Sequence, residues 1–532
     1  MREINIKTPP WGIPDAIALV TRPWMASRKR FDKILADMRY APSFFIALLY
    51  ITFVVVFCHY QNIFEFDNDE GNNIIKAFLV DKGFSLYAQI WSDQPPAFTY
   101  LLRVCFSVFG WHINVARAVV LGFTGIAIFV VSDMLLMAIR ARGNRHSGLL
   151  AAAAGCFFLV NTENFVRLSV SVMIGMPSLS LMMLAVWAVV QFHLSAHRAW
   201  PIWAGLFAAL SLGMKLFTGF LVPLCVIGLV VSGWMKHRSG GRWASLLPSL
   251  LFIAGFALTA GLIFLPFLSQ AAIGTLWETH CRVRLAQTGN ADGLERLTQF
   301  FEDDGILFSL AALGAIRTVV TRNVWTIPWL TWLTVAIVVL YDHHPIWFHH
   351  RLLLTFPAAV LAGYATGEML DVPWPRKIPS WLIAALWCAT VALIGHCIHA
   401  NVESKESDFH VSKQESTAQA GIMDVINSYK KDVKYMVTGR PQYAFRARIP
   451  VPPNLAITSI KRFNSKELRA SDILRDIKEY NVELVIVSAR WKKNIRKKIR
   501  RELRSKYDCV YRTAYRDTDI WVKKEIAFSN RH

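Results

Sequence analysis

The sequence predicts an all-α polytopic membrane protein of about 11 transmembrane helices plus juxtamembrane helices, with a small soluble α/β domain at its C-terminal end. Composition is the first observation behind this. Of 532 residues, 54% are hydrophobic, 13% aromatic and only 18% charged, against roughly 25% charged in soluble domains. The mean hydropathy is +0.35. Clustering is the second: nearly all long apolar runs lie between Pro42 and Ala400. The third is a change of pattern beyond Ala400, where short β-rich runs alternate with amphipathic stretches. The apolar content excludes a disordered chain, and no Gly-X-Y or sustained heptad period appears.

Residues 1–41 carry Arg22, Arg28, Lys29, Arg30, Lys33 and Arg39 and no early apolar run. They read as a basic cytoplasmic arm followed by a retained span, not a cleaved signal. A spanning helix needs about 20 apolar residues. The runs 43–61, 113–139, 147–160, 172–194, 201–214, 216–235, 246–268, 305–320, 324–341, 352–370 and 380–398 qualify, some by borrowing flanking residues. Segment 96–111 is mildly apolar and interrupted by Arg103. The positive-inside rule assigns it to the membrane surface. Arg140, Arg142, Arg145, Arg198, Lys236, Arg238 and Arg242 then fall in cytoplasmic loops. Glu65, Asp67, Asp69, Glu70, Asp93, Glu163, Asp303 and Asp304 fall in outer loops. Counting 96–111 as a span inverts every later loop. Residues 42–400 are thus the membrane domain, with a first outer loop at 62–96.

Eleven spans put 401–532 outside. Val433–Val437, Leu455–Thr458 and Val482–Val487 read as strands, and Cys509–Ala514 with Asp519–Val522 as a closing pair. Ser471–Tyr480 reads as a helix with a Ser/Asp N-cap, and Lys492–Lys506 as a very basic helix. This tail holds 29 Lys and Arg against 16 Asp and Glu, or +13 of the net +21. That distribution points to a basic outer domain near an anionic membrane or glycan, and not to nucleic acid. Its densest patch, Lys492 to Lys506, is expected to contact phosphate or uronate groups. The eight cysteines form no Cys-x-x-Cys pair, which excludes zinc-ribbon and thioredoxin motifs. Cys281 and Cys509 lie in polar segments, either as free thiols or as a pair in an oxidising compartment.

The first outer loop reads Glu65-Phe66-Asp67-Asn68-Asp69-Glu70, four carboxylates in six residues. Such a cluster repels itself unless a cation, a hydrogen-bond donor or a reacting group offsets it. A solvated acidic turn is the bland alternative. Lys215 lies between two apolar runs at the outer end of a span, where a snorkelling interfacial lysine is the alternative. Arg117 and Arg167 share that side. So does Asp342-His343-His344-Pro345-Ile346-Trp347-Phe348-His349-His350-Arg351, whose imidazoles suit a phosphate or, without a specifying spacing, a metal. Together these residues suit an anionic lipid headgroup held by cations beside a carboxylate base.

On these residues the chain resembles the GT-C glycosyltransferases of the polyprenyl-phosphate-sugar type, which include lipid A aminoarabinose transferases and protein O-mannosyltransferases. Four motifs carry the resemblance over about 45–400. They are Asp69-Glu70, Asp93-Gln94-Pro95-Pro96, Ala116-Arg117, and Gly213-Met214-Lys215 with His349-His350-Arg351. The resemblance implies an inverting sugar transfer from a polyprenyl-phosphate donor to an outer-face glycan, lipid or protein. Its setting would be the outer face of a bacterial inner membrane, with the tail periplasmic. Asp69 would be the general base, and Glu70 would orient the acceptor or bind a cation. Lys215, Arg117, His350 and Arg351 would hold the phosphate, with Gln94, Arg167 and Tyr87 also in the substrate site. A divalent metal ion is the one candidate cofactor, with no ligand set assigned to it. Gly71 and Gln94 stand where the aminoarabinose transferases have Arg and Lys, which argues against that donor sugar. Glu163 is the nearest carboxylate to a second acid many relatives carry. The alternatives are a lipid-linked saccharide flippase and a non-catalytic assembly protein. The absence of an internal repeat and the one-sided polar residues argue against a flippase.

Overall fold

A computed structural model describes residues 40–140, 145–236, 241–268, 274, 292–343, 346–371, 419–513 and 518–529. The first span is helix α1 (Ala41–Phe57), begun by a proline in its first turn, where a missing N–H is tolerated. It buries Ser43, Ala47, Tyr50 and Val54 on one face and presents Phe44, Phe45, Leu48 and Phe53 outward. An apolar outer face of this kind belongs in lipid. The first outer loop then forms α2 (Asn68–Asp81) and α3 (Ala97–Phe109). At 13 residues, α3 is about 20 Å long, shorter than a hydrocarbon core of about 30 Å.

The apolar runs continue as α4 (Ile113–Arg140), α5 (Arg145–Val160), the short α6 (Phe165–Val170), α7 (Gly175–Ser195), α8 (Ala199–Met214), α9 (Val222–Lys236) and α10 (Gly241–Phe264). Then come α11 (Asp292–Asp303), α12 (Gly305–Thr321), α13 (Ile327–Tyr341) and α14 (Leu352–Asp371). Five described stretches are long and apolar enough to cross a membrane: Ile113–Ile139, Gly175–Ser195, Leu216–Lys236, Trp243–Phe267 and Phe348–Leu370. The α11–α12 pair is bent by 91°. Apolar α1, α3, α8, α13 and Ser147–Val160 are shorter. The expected span 380–398 and the arm 1–39 lie outside the described residues, as does Cys281. Cys509 is an exposed free thiol.

Helices α8 and α10 cross closely. A Cβ on Gly205 would meet Phe252 O at 2.1 Å, and one on Gly255 would meet Ile202 O at 2.5 Å. Small residues permit such backbone approach between membrane helices.

In the C-terminal part a helix at 419–429 precedes β1 (Met436–Thr438), α15 (Pro441–Ala447), α16 (Ile460–Asn464) and α17 (Ala470–Glu479). Next are β2 (Leu484–Val487), α18 (Lys493–Leu503), β3 (Tyr507–Arg512), β4 (Asp519–Lys523) and α19 (Lys524–Ser529). The strands form one sheet in the order β1-β2-β4-β3. β1 and β2 are parallel, and the other pairs are antiparallel. The expected strand Leu455–Thr458 is absent. A 3-10 turn at Pro453–Leu455 takes its place, because Pro452 and Pro453 cannot donate to a ladder. The cap of α17 also differs from expectation. Asp472 accepts from the Arg469 N–H at 2.8 Å from within the first turn, while Arg469 holds the N-cap position.

Gly205→Leu is expected to force α8 from α10 and lower the detergent-solubilised stability by about 1–3 kcal/mol or more. Thermal unfolding followed by tryptophan fluorescence checks this, with Gly219→Leu, which faces only Leu212 at 3.8 Å, as the milder control.

Candidate active site

The acidic cluster is arranged by the start of α2. Asp67 is the N-cap, and its Oδ1 accepts from the Asp69 N–H at 2.9 Å. Asp69 and Glu70 occupy the first turn, where the helix dipole favours negative charge. Their environments then diverge.

Glu70 is fully buried. Arg117 donates to it through Nε at 3.1 Å and Nη2 at 2.8 Å. The N–H groups of Phe66 and Val172 donate at 2.9 and 3.0 Å. Arg117 Nη1 donates to the carbonyls of Tyr60 and Ile63, both at 2.8 Å, and the guanidinium lies over the Phe66 ring. Both side chains have 0% exposure and full sets of partners. Where Glu70 was expected to orient an acceptor and Arg117 to grip phosphate, the structure places them against each other and against backbone groups, without solvent contact.

Asp69 is open to solvent at its edge yet sits in a recess walled by protein. Its pKa is pushed up to about 6, chiefly by desolvation, then by Asp67 and Asp93, against the Asn72 hydrogen bond and Lys215. Asn72 Nδ2 donates to Asp69 Oδ1 at 3.3 Å. Two turns along α2, Lys76 is 1% exposed. Burial lowers its pKa, while Asp93 and Asp69 oppose that shift. The sequence hides Lys76 inside Ile74-Ile75-Lys76-Ala77-Phe78, and only its i+7 spacing from Asp69 points to a shared face.

Lys215 sits where α8 ends. Its backbone is extended, with φ −148° and ψ 120°, and its ammonium lies 5.9 Å from the Phe217 ring centre. His350 stacks on Phe217 at 4.9 Å, next to His343 and His349. His350 Nδ1 accepts from the Trp347 N–H at 3.3 Å. The Nδ1 of His349 is buried with no partner among the described residues.

Arg351 departs from expectation. It is held by Glu163 at 2.7 Å, Asp304 at 3.3 Å and Asp303, over the Phe300 ring. Three carboxylates face its charge, so Arg351 braces the α11–α12 bend where a phosphate contact was expected. Glu163, the expected stand-in for a second acid, is part of the same cage and keeps a partly exposed side chain. Arg167 donates to Phe66 O and lies over the Phe348 ring, joining the first loop to the His-rich segment. The Tyr87 hydroxyl donates to Gln94 O at 2.8 Å, and Gln94 N–H donates to Ser92 Oγ. Tyr87 and Gln94 therefore shape the 87–94 turn. Among the described residues, no group of three or more His, Cys, Asp and Glu is placed to hold a metal ion.

The C-terminal part supplies a wall that the sequence did not reveal. Arg490 Nη2 meets Glu65 at 2.8 Å and Arg440 Nη1 meets it at 3.8 Å. Gln442 and Arg446 donate to Phe64 O at 2.9 and 2.8 Å. Lys461 pairs with Asp93 at 3.1 Å, and Arg462 covers the Trp91 ring. Gly71 lets α15 approach α2, since a Cβ there would meet Gln442 N at 3.0 Å and Glu65 Oε1 at 3.2 Å.

These helices define a polytopic membrane protein, and its fold is one shared with solved membrane-protein structures. No protein-family model and no curated protein sequence matches the chain. Among solved structures it is similar to ArnT from Cupriavidus metallidurans bound to undecaprenyl phosphate, with TM-score 0.61 and 13% identity over 89% of this chain and 97% of that one. The same enzyme in the apo state gives a TM-score of 0.56 and 15% identity over 85% and 92%.

Burial pushes Glu65 up to about 7, against Arg490 and Arg440. A carboxyl with a raised folded pKa favours the native state most at low pH, and that contribution is lost between about 4.5 and 7. Glu65→Gln is expected to raise the melting temperature at pH 8 relative to wild type and to leave it nearly unchanged at pH 4.5. Paired thermal melts at the two pH values check this.

Proposed function

We propose that the chain is an inverting glycosyltransferase. It moves a sugar from a polyprenyl-phosphate carrier to a hydroxyl of an outer-face glycan, lipid or protein in a bacterial inner membrane. One observation carries the reading. Glu65, Asp67 and Glu70 each hold a close cation or backbone N–H, whereas among the described residues Asp69 receives only the 3.3 Å Asn72 bond. It is also the member of the cluster open to the recess. A carboxylate near pKa 6 is ionised at neutral pH and a stronger base than an ordinary Asp, which suits proton abstraction from a hydroxyl.

In the proposed step the acceptor oxygen bonds to the sugar C1 from the face opposite the phosphate. The C1–O bond breaks, and its electron pair leaves on the phosphate. The hydroxyl proton passes to Asp69. Lys215 answers the charge on the leaving phosphate, and His349 supplies a buried ring nitrogen near it. Undecaprenyl phosphate, the ligand of the ArnT structure, is the carrier class this arrangement suits. The wall built by Arg440, Arg490 and Lys461 sets the C-terminal part against the first outer loop, which supports acceptor entry from that side. On α18, Lys493, Lys497, Lys498 and Arg501 are exposed, which supports an anionic acceptor or membrane surface on that side.

Asp69→Asn is expected to cut turnover by about 10²-fold or more with wild-type expression and melting temperature. In the wild type, turnover should fall tenfold per unit as pH drops below about 6 and level off above it. Proteoliposome assays with the donor identified by mass spectrometry of envelope glycans check both. Full activity of Asp69→Asn removes the mechanism.

A further inference from the structure

The break that carries Lys215 is built on three buried hydroxyls from separate elements. Ser178 lies on α7, Ser211 on the last turn of α8, and Thr218 in the 3-10 turn Leu216–Leu221. All are at most 2% exposed. Ser211 Oγ donates to Ser178 O at 2.7 Å, and Ser178 Oγ donates to Ser211 O at 3.0 Å. Thr218 Oγ1 lies 2.8 Å from Ser211 Oγ, 3.3 Å from Ser178 Oγ and 3.2 Å from Lys215 O. Three hydroxyls carry three protons. With each serine hydroxyl within reach of the other serine's carbonyl, Thr218 Oγ1 is left to bridge the serine pair and the Lys215 carbonyl. The Lys215 N–H donates to Ser211 O at 3.0 Å. Both backbone polar groups of Lys215 therefore end in this cluster.

The cluster connects further. Ser178 sits in the first turn of α7, just after Val172. The Val172 N–H donates to Glu70 and its carbonyl accepts from Asn73 Nδ2 at 2.9 Å. Glu70 and Asn73 belong to α2, the helix that bears Asp69. A continuous set of bonds thus runs from α2 through residues 172–178 to the backbone of Lys215. Buried hydroxyls are tolerated in an apolar bundle when bonded, and freed backbone groups at membrane depth need partners. Closing the break accounts for one hydroxyl on Lys215, but a reciprocal serine pair across α7 and α8 also fixes where that break stands.

We propose that Ser178, Ser211 and Thr218 are positioning residues that set Lys215 at a fixed separation from Asp69, the spacing between lipid phosphate and base. The inference rests on the reading that Lys215 meets the donor phosphate.

The test is a double-mutant cycle on the full chain in nanodiscs, with undecaprenyl phosphate as the probe and its affinity read by native mass spectrometry. Thr218→Val is expected to weaken affinity about five- to tenfold, the loss that follows when a charge-assisted contact is misplaced. Thr218→Ser should restore it to within about twofold. In a Lys215→Ala background, Thr218→Val should change affinity by less than about twofold. Equal losses in both backgrounds, or no loss with Lys215 present, would overturn the positioning role. Wild-type affinity of Lys215→Ala alone would overturn the phosphate reading and the inference with it. Ser211→Ala run through the same cycle replaces Thr218→Val if the latter does not fold.

Discussion

The buried ion pair of Glu70 and Arg117 is the constraint on which the outer half of the molecule depends. Two opposite charges without solvent contact are tolerable only when every lone pair and N–H is engaged. Here the pair collects partners from residues 60, 63, 66 and 172. It fixes the start of α2 against α4 and against the segment leading into α7. Removing one partner would strand the other charge, at a cost of about 3–5 kcal/mol. The pair is therefore a hinge pin for the site without being part of its chemistry.

That pin explains how neighbouring carboxylates acquire different properties. Glu70 points inward to a guanidinium, while Asp69, one residue earlier and rotated by about 100° on the helix, points to the recess. Glu65 on the other side is taken by Arg490 and Arg440, which makes the C-terminal part a structural component of the first loop. The self-repulsion of four acids in six residues is relieved member by member, by a salt bridge, an N-cap bond or a double arginine contact. The base proposed here is the member whose carboxylate receives only the 3.3 Å Asn72 bond among the described residues.

The helices were legible because apolar runs of spanning length have few other fates in a chain of this composition. The acidic cluster was legible too, as a self-repelling set in the first outer loop that needs partners, but not its place as the N-cap and first turn of a helix. Partner choice was not. Arg117 and Arg351 were both placed on the outer side, but sequence cannot say that Arg117 faces Glu70 or that Arg351 faces Glu163, Asp303 and Asp304 across 47 to 188 residues. Proline explained the missing strand at 455–458 only once its place before the turn was seen. Lys76, Ser178, Ser211 and Thr218 were missed because each is a single polar residue inside an apolar run. Their meaning lies in what they meet.

A division of labour among the outer cations follows from these contacts. Arg117, Arg351, Arg440, Arg490 and Lys461 are matched to carboxylates within ion-pairing distance, and four of the five are arginines. Arginine suits fixed, multidentate contacts, whereas lysine carries a compact charge that shifts its pKa readily when buried. Lys215 at a helix break and Lys76 with a lowered pKa are of the second kind, and the charges of both act on Asp69. A framework of paired arginines thus stands beside two lysines coupled to the proposed base. An arriving phosphate would raise the proton affinity of both lysines and leave the arginine pairs unchanged, so donor binding would alter the electrostatics around Asp69 without requiring the fold to move.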